Sequence, residues 1–341
     1  SEINSAQRDG EPHFPVFTRK SSTDVSYHAC ANKLLEYRDT IYPQFATHNG
    51  YTASTILELA GDDKEGFEFQ CLHGMGDSLY DQIVSEQQIQ CRIYAPVGVH
   101  EDLLAYLVRR LLENGANSSF VNAIVDVDKP VEDLLFDPME RTQRLSSIYN
   151  EQINLPHQIF GKERNNSKGL DLTDINELVT LKKSLVNWFE NNQADVKASK
   201  TADSSNKTLQ PVLNPANHDE VVGYHQFAEP ADMLSMLEKA DSTFNSWSQT
   251  PIAERAELLR RTADILEEHM EELIGLCIKE AGKIAKDGVD EVREAVDFCR
   301  YYAARAEELA EDNRLEPRGV IVCISPWNFP LAIFLGQVVA A

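Results

Sequence analysis

The segment 91–113, CRIYAPVGVHEDLLAYLVRRLLE, sets a short β-branched run directly before a leucine-rich helix. Upstream, three further runs of this kind alternate with helical stretches, and they are FPVFTRK (14–20), YPQFATHN (42–49) and FEFQCLHG (67–74). Strands that alternate with helices at this spacing are typical of βα units and of a parallel sheet. The sequence therefore predicts an α/β fold with consecutive βα units over residues 1–125.

Each predicted strand ends in polar side chains, which are Thr18, Arg19 and Lys20, then Thr47 and His48, then His73, and finally Tyr94. In a (βα)8 barrel the C-terminal ends of the strands build the active site. A complete barrel needs eight units and about 250 residues. Four units therefore predict the C-terminal half of such a barrel, with the other half upstream of this sequence.

The rest of the sequence divides into a connector and a second domain. Residues 126–175 are polar and rich in turn formers, a helix is expected over 176–191, and the small polar residues 192–208 indicate a linker. Beyond the linker we expect a β-hairpin at 210–223, amphipathic helices at 230–247, 251–282 (broken) and 288–312, a buried parallel-type strand at 318–325, and a final helix. The predicted domains are 1–125, 126–208 and 209–341.

Composition limits the classes of function. The chain has 55 acidic and 32 basic residues and a net charge of -23, which opposes binding to nucleic acid or to an anionic membrane. Its six cysteines show no spacing typical of metal ligands, so we expect no metal site and a reducing, cytoplasmic location. The first residue is not Met and the last residues are apolar and uncapped, as expected for a segment of a longer protein.

The helix at 103–113 has two opposite faces. Its leucines fill one half of the helical wheel, while Tyr106, Arg109, Arg110 and Glu113 lie within about 100° on the other half. A solvated charged face with an Arg109–Glu113 pair is one interpretation. The other is an anion site, because two guanidinium groups offer forked donors to a carboxylate. The strand that ends at Tyr94 directly precedes this helix, which favours the second interpretation.

Several motifs resemble a known family. The segments FPVFTRKSSTDVSY, YPQFATHN, FEFQCLHGMG and CRIYAPVGVHEDLLAYLVRRLLENGANSSFVN are similar to the last half of the proline dehydrogenase barrel in the bifunctional proline utilization A family. The segments PVLNPANHDEVVG, KEAGKIAKDGVDEVREAVDFCRYYA and RGVIVCISPWNFPLAIFLGQVVAA resemble the start of its fused aldehyde dehydrogenase domain, which is Rossmann-like. The resemblance implies oxidation of proline with FAD, and then oxidation of glutamate semialdehyde with NAD.

For the first site, the resemblance implies contacts to substrate and to flavin. Arg109 and Arg110 would hold the carboxylate of proline, and the other expected substrate contacts are Glu113, Tyr106, Tyr94 and Leu72. The expected FAD contacts are Thr18, Arg19, Lys20, Thr47 and His48. Taken alone, His48 or His73 would more often be a structural histidine at a strand end, but the surrounding motif favours FAD binding for His48.

For the second site, the resemblance assigns Asn328 of PWNFP as the amide that stabilises the oxyanion. The expected NAD contacts are Ile324, Ser325, Pro326 and Trp327. Without the flanking resemblance, PWNFP would be interpreted as an aromatic turn that caps a strand. Cys323 is expected to be a packed thiol, and the family's nucleophilic cysteine and general-base glutamate are expected beyond residue 341.

Two alternatives to this function remain open. The first interpretation is a segment of an enzyme that acts on small molecules and forms homo-oligomers at full length. The main alternative is a non-catalytic interaction module. A phosphate-binding barrel is a third option, but the glycine-rich loop that it requires is missing near the last strands. Any peripheral contact with a membrane or a quinone would belong to the full-length protein and not to this segment. Because half a barrel exposes sheet edges, we expect the segment alone to be inactive.

Overall fold

The computed structural model describes residues 2–114, 137–202, 209–310 and 316–341, and for residues 113–114 and 192–202 it describes the backbone alone. The chain divides into two compact units. One comprises Phe17–Ile153, and the other comprises Ser1–Val16 together with Asn154–Ala341. Each unit is described by itself.

The unit Phe17–Ile153 is built from βα units around a parallel sheet. In chain order its elements are α2 (Lys20–Glu36), β1 (Gln44–Ala46), α3 (Gly50–Ala60), β2 (Glu68–Leu72), α4 (Asp77–Gln87), β3 (Cys91–Tyr94), α5 (His100–Asn114) and α6 (Pro138–Gln143). The strands are parallel in the order β1-β2-β3, with Phe45 opposite Phe69 and Leu72 opposite Tyr94. Three of the four predicted βα units are thereby confirmed, while the half barrel stays a prediction.

Aromatic side chains from β1, from β2 and the residue before it, and from α4 fill the core of this unit. Phe45, Phe67, Phe69 and Tyr80 are all buried, and the Phe67 and Phe69 rings meet edge to face at 6.0 Å. Burial of this apolar area, together with the ring contacts, drives the sheet onto the helices. The core lies beneath the strands and leaves their C-terminal ends accessible.

A buried carboxylate joins the three strands at the other end of the sheet. The Glu68 side chain on β2 is 2% exposed and accepts two hydrogen bonds from the Arg92 guanidinium on β3, at 2.6 and 2.9 Å. It also accepts one from Gln44 Nε2 on β1, at 2.6 Å. These hydrogen bonds hold the pKa of Glu68 below its ordinary value, with those from Arg92 contributing most. The register of the sheet is therefore fixed by polar as well as apolar contacts.

The strand predicted at 14–20 is absent, so this expectation was wrong. A strand requires a neighbour for its backbone groups, and Pro15 removes one donor from this run. Side chains of this segment instead bond to the backbone at residues 149–150. Thr18 Oγ1 accepts from the Asn150 backbone N–H at 2.9 Å, and Arg19 Nε donates to the Tyr149 carbonyl at 3.0 Å.

The second unit contains a hairpin and a group of packed helices. Its elements are α1 (Glu2–Asp9), a short 3-10 helix (Pro156–Gln158), α7 (Ile175–Ala202), β4 (Gln210–Asn214), β5 (Asn217–His225), α8 (Pro230–Ser248), α9 (Ile252–Glu268), α10 (Met270–Ala281), α11 (Ala285–Leu309) and α12 (Ala332–Ala340). Strands β4 and β5 are antiparallel. The predicted hairpin and the three amphipathic helices, including the break in the second, are confirmed.

Helices α7, α9, α10 and α11 share one apolar core. Its buried members are Leu181, Leu185, Ala263, Met270, Ile274, Val289, Val292, Val296 and Cys299. The linker predicted at 192–208 was partly wrong, because α7 continues to Ala202. Packing of the earlier turns of α7 into this core anchors a helix whose later residues carry no apolar periodicity of their own.

The buried strand predicted at 318–325 is also absent. In the structure this run is irregular, and Val322 and Ile324 are 71% and 81% exposed. A parallel strand of this kind is stable only between neighbouring strands. Among the described residues of this unit, β4 and β5 form the one sheet, and it is antiparallel. The run therefore has no partner to join.

The six thiols differ in burial. Cys71, Cys277 and Cys299 are buried, but Cys30 is exposed and Cys91 and Cys323 are half-buried. The prediction that Cys323 is a packed thiol was therefore only partly right, since it lies in the irregular run before the PWNFP turn. Over the part of the chain that the structure describes, no helix combines the length and the apolar character required to cross a membrane.

Candidate active site

A cavity of about 360 Å³ opens at the C-terminal ends of the three parallel strands. Its lining residues are Ala46, Thr47, His48, Gln70, Cys71, Leu72, Tyr94 and Arg110. Each strand contributes its last residues, because the carboxyl ends of parallel strands meet at one edge of the sheet. Five of the residues predicted from the sequence therefore surround one cavity, and they are Thr47, His48, Leu72, Tyr94 and Arg110.

The imidazole of His48 is fixed by the neighbouring strand. Its Nε2 accepts a hydrogen bond from the Leu72 backbone N–H at 3.1 Å. An acceptor Nε2 places the proton of the neutral ring on Nδ1. Gly76 lies so near that a Cβ there would stand 3.1 Å from His48 Cδ2, and its φ of +72° also favours glycine. The strand ends thus hold this ring in one orientation.

A buried tyrosine supports the floor of the cavity. The Tyr80 hydroxyl on α4 donates to the carbonyl of Thr47 and lies 3.2 Å from that of Gln70. Burial raises the pKa of Tyr80 above its ordinary value, which keeps the hydroxyl protonated as a donor. Tyr80 is not among the predicted site residues, because a tyrosine on the apolar side of a helix gives no signal beyond core packing.

Arg110 and Arg109 have different surroundings on α5. Arg110 is half-buried, lines the cavity, and lies with its Cζ 5.4 Å from the centroid of the Tyr106 ring. A cation over an aromatic face at this distance is favourable. Arg109 is exposed and does not line this cavity, and the side chain of Glu113 lies outside the described residues. The structure thus brings one of the two predicted arginines to the strand ends.

The apolar face of α5 is open to solvent in this unit. Leu104, Leu111 and Leu112 are 62%, 71% and 71% exposed. A helix with an apolar stripe normally buries it against a partner. Exposure on both faces means that the position of α5 rests on few packing contacts.

The predicted flavin contacts on the first run are not part of the cavity. Thr18 and Arg19 bond to the backbone at residues 149–150, as described above, and Lys20 pairs with Asp24 one helical turn later. Arg19 and Lys20 each use one donor in these contacts, whereas the Thr18 hydroxyl oxygen acts as an acceptor. Their assignment to cofactor binding stays a prediction.

Cys71 lines the cavity and was also missed, and it packs against Cys91. Cys71 on β2 and Cys91 on β3 lie with their sulfur atoms 3.6 Å apart. Burial, with the neighbouring Cys71, raises the pKa of Cys91 to about 12. Such a thiol is protonated near neutral pH and is a poor nucleophile. The pair therefore serves as packing beneath the cavity.

The second candidate site is the turn at 326–330. Phe329 N–H donates to the Pro326 carbonyl at 3.4 Å, and Asn328 is exposed within this turn. Ile324 and Trp327 are each 81% exposed, and Ser325 and Pro326 are exposed as well. Such exposed residues do not enclose a dinucleotide within the described part of the chain. The NAD contacts predicted here stay a prediction.

Comparison with known proteins identifies the family. A family model named proline dehydrogenase matches residues 1–123, and a model of the aldehyde dehydrogenase family matches residues 201–341. Bifunctional protein PutA of Escherichia coli (strain K12) is 46% identical over 354 residues, which cover 100% of this chain and 27% of that protein. Over its whole length the chain is similar to one segment of the bifunctional PutA proteins. The resemblance predicted from the sequence motifs is thereby confirmed.

Solved structures and a shorter relative agree with this family. A crystal structure of bifunctional proline utilization A matches with a TM-score of 0.80 and 42% identity, and the match covers 99% of this chain and 33% of that one. A 1-pyrroline-5-carboxylate dehydrogenase of Anoxybacillus flavithermus (strain DSM 21510 / WK1) is 40% identical over 141 residues, 38% of this chain and 27% of that protein. The chain spans about 27% of the length of the curated proline utilization A relative from Escherichia coli.

Proposed function

We propose that this chain is a segment of a bifunctional enzyme of proline catabolism. One half oxidises proline to pyrroline-5-carboxylate with FAD, and the other oxidises glutamate semialdehyde to glutamate with NAD. The two family matches, in this order along one chain, support the pairing of activities. The same proposal includes the domains 1–125, 126–208 and 209–341, a cytoplasmic location and a homo-oligomer at full length.

The observation that carries the first activity is the placement of Arg110 in the cavity at the strand ends. Its guanidinium presents a positive charge and planar donors, which match a carboxylate. Leu72 and Tyr94 provide apolar and aromatic surface in the same cavity, suited to the ring of proline. We propose that Arg110 binds the carboxylate while these two side chains hold the ring, with Arg109, Tyr106 and Glu113 completing the arginine cluster.

The polar side chains of the cavity fit a flavin. Thr47, His48 and Gln70 offer hydrogen-bonding groups beside the apolar wall at Leu72, and a planar heterocycle with a polar edge requires both. FAD, when bound, supplies the acceptor for the two electrons that proline loses. The chain's own contribution is to hold the substrate and to fix His48 in one orientation. Thr18, Arg19 and Lys20 are proposed contacts to the remaining part of the cofactor.

For the second activity, the proposed donor to the oxyanion is the side-chain amide of Asn328. An amide N–H directed at the developing charge stabilises the transition state more than the ground state. Because the residues 324–327 are exposed here, no step is assigned to them beyond a proposed place near NAD.

The test replaces Arg110 by Met in the complete polypeptide that carries this segment. Loss of a hydrogen-bonded charge costs about 1.5–3 kcal/mol, so we expect the KM for proline to rise about 10- to 100-fold. Prolinamide, which lacks the carboxylate, provides the matched substrate, and its KM should change little. Steady-state dye reduction with each substrate measures both effects.

The exposed Arg141 on α6 provides a control, because Arg141→Met removes the same charge without touching the cavity. The proposal is wrong if Arg110→Met leaves the KM for proline within twofold of the unsubstituted enzyme. It is also wrong if the variant weakens proline and prolinamide equally. A complete polypeptide without flavin absorbance or proline turnover would instead support a non-catalytic interaction module.

A further inference from the structure

The turn that carries Asn328 is joined to α11 by a buried carboxylate. The Glu291 side chain is 2% exposed, and its Oε2 accepts from the backbone N–H of Ala332 at 2.9 Å and of Leu331 at 3.3 Å. These are the first amides of α12, and the N-cap Leu331 has no side chain that could accept from them. Glu291 therefore caps α12 from another helix, 40 residues earlier in the chain.

A lysine neutralises this buried carboxylate and contacts the same turn. Lys283 Nζ lies 3.0 Å from Glu291 Oε1, with its side chain 17% exposed, and 5.1 Å from the centroid of the Phe329 ring. The C-terminal cap of α10 fixes the backbone position of Lys283. Gly282 adopts a φ of +67° there, and the Lys283 N–H donates to the Cys277 carbonyl. The cation therefore contacts both the cap and the aromatic residue next to Asn328.

Helix α12 is also held along its length. A Cβ on Gly336 would lie 2.7 Å from Phe298 Cδ2 on α11, so the two helices pack in close contact at this glycine. Ala332 is fully buried, and Gln337 Nε2 donates to the Ile324 carbonyl at 2.8 Å. The segments on both sides of the turn are thereby tied to α12, and the position of α12 depends on α11.

We propose that Glu291 and Lys283 are positioning residues for Asn328 in aldehyde oxidation, an inference that rests on the proposed function. Asn328 stands three residues before the first amide that Glu291 binds, on an otherwise exposed turn. A donor to an oxyanion acts only when it is held within about 0.5 Å of its productive position. The buried ion pair supplies this constraint without touching substrate.

The test uses the complete polypeptide and measures kcat and KM for glutamate semialdehyde. Asn328→Ala should lower kcat by about 100-fold or more. Glu291→Gln should lower kcat by about tenfold, with KM within twofold, because a misplaced donor weakens only transition-state stabilisation. In the Asn328→Ala background, Glu291→Gln should cause no further loss, because it acts through the amide that has been removed.

Matched variants separate positioning from general destabilisation. Glu294→Gln removes a carboxylate from the exposed side of the same helix and should leave kcat unchanged. Lys283→Met should reproduce the loss in kcat, whereas Lys283→Arg keeps the cation and should restore most of it. Urea unfolding followed by circular dichroism reports whether each variant still folds, because the proposed proline site lies in the other compact unit.

Two results would overturn the inference. An equal loss of kcat from Glu291→Gln with and without Asn328 means that the ion pair is only structural, and an unchanged kcat in both Glu291→Gln and Lys283→Met means that it does not position the turn. Full activity of Asn328→Ala would contradict the proposed role of Asn328 itself. That outcome is distinct, since it needs no change at Glu291.

Discussion

Helices α7 and α10 pack so closely at Gly275 that we expect alanine at this position to destabilise the fold, although alanine normally stabilises a helix. Gly275 on α10 faces the indole of Trp188 on α7, and a Cβ at Gly275 would lie 2.6 Å from Cε3 and 2.8 Å from Cζ3 of that ring. Ordinary contact begins at 3.4 Å, so the ring would have to recede by about 0.8 Å. Because Trp188 also meets Phe189 at 5.4 Å, this movement disturbs a second ring.

Two effects oppose each other in Gly275→Ala. Alanine in place of glycine within a helix stabilises it by about 1 kcal/mol. Overpacking in a core costs about 1–3 kcal/mol, and a contact of 2.6 Å with a ring, rather than with a flexible chain end, favours the upper part of that range. We therefore expect Gly275→Ala to lower the free energy of unfolding by about 1–2 kcal/mol.

The assay is a double-mutant cycle with Trp188→Ala, followed by urea unfolding with circular dichroism. In the Trp188→Ala background the obstacle is gone, so the same glycine substitution should raise the free energy of unfolding by about 1 kcal/mol. The coupling should then be about 2–3 kcal/mol. Stabilisation by Gly275→Ala in both backgrounds would refute the packing of α7 onto α10.

Two further predictions concern the first unit. The hydrogen bonds from Arg92 hold the pKa of Glu68 below its ordinary value, so the carboxylate stabilises the fold above the unfolded pKa, about 4.3, and this contribution is lost as the pH falls through the lower folded pKa. Glu68→Gln should therefore flatten the dependence of the urea midpoint on pH in this acidic range, and an unchanged slope would contradict the assignment. Burial raises the pKa of Cys91 to about 12, so iodoacetamide should modify Cys91 far more slowly than the exposed Cys30 near pH 8. Mass spectrometry of the peptides measures both rates, and equal rates would contradict the raised pKa of Cys91.

Elements with local signals were predicted well from the sequence. The strands at 44–46, 68–72 and 91–94 and the helices between them follow from alternating runs of apolar residues. The runs at 14–20 and 318–325 carry equally strong signals but form no strands. Strand formation depends on a neighbour that the local sequence does not specify, whereas a helix satisfies its own backbone.

Some residues of the candidate site could also be predicted from local sequence, whereas others depend on packing between elements. Thr47, His48, Leu72 and Tyr94 follow strand ends, so parallel pairing alone brings them together. Arg110 reaches the cavity through α5, where a helical wheel could not separate it from Arg109. Glu291 gave no signal, because an acidic residue in an amphipathic helix resembles a solvated one until α12 packs against it.

The N-terminal helix shows that the limits of the family matches are not the limits of packing. Residues 1–16 lie within the proline dehydrogenase match, yet α1 belongs to the compact unit formed with 154–341. Its end is bonded there, because Arg293 Nη2 on α11 donates to the Arg8 carbonyl at 2.8 Å and the Gly169 N–H donates to the Gly10 carbonyl at 2.8 Å. A Cβ on Gly10 would lie 2.1 Å from the Ser167 carbonyl oxygen, so this approach requires glycine.

Helix α11 contacts elements from both family matches. Helix α11 carries Glu291 on its buried side, which caps α12, and Arg293 two residues later, which holds the end of α1. A single helix of the aldehyde dehydrogenase match therefore secures one element from each family. Removal of residues 124–341 would leave the Arg8 carbonyl without Arg293 and the Gly10 carbonyl without the Gly169 N–H. The folded position of α1, which lies in the proline dehydrogenase match, therefore depends on a residue of the aldehyde dehydrogenase match.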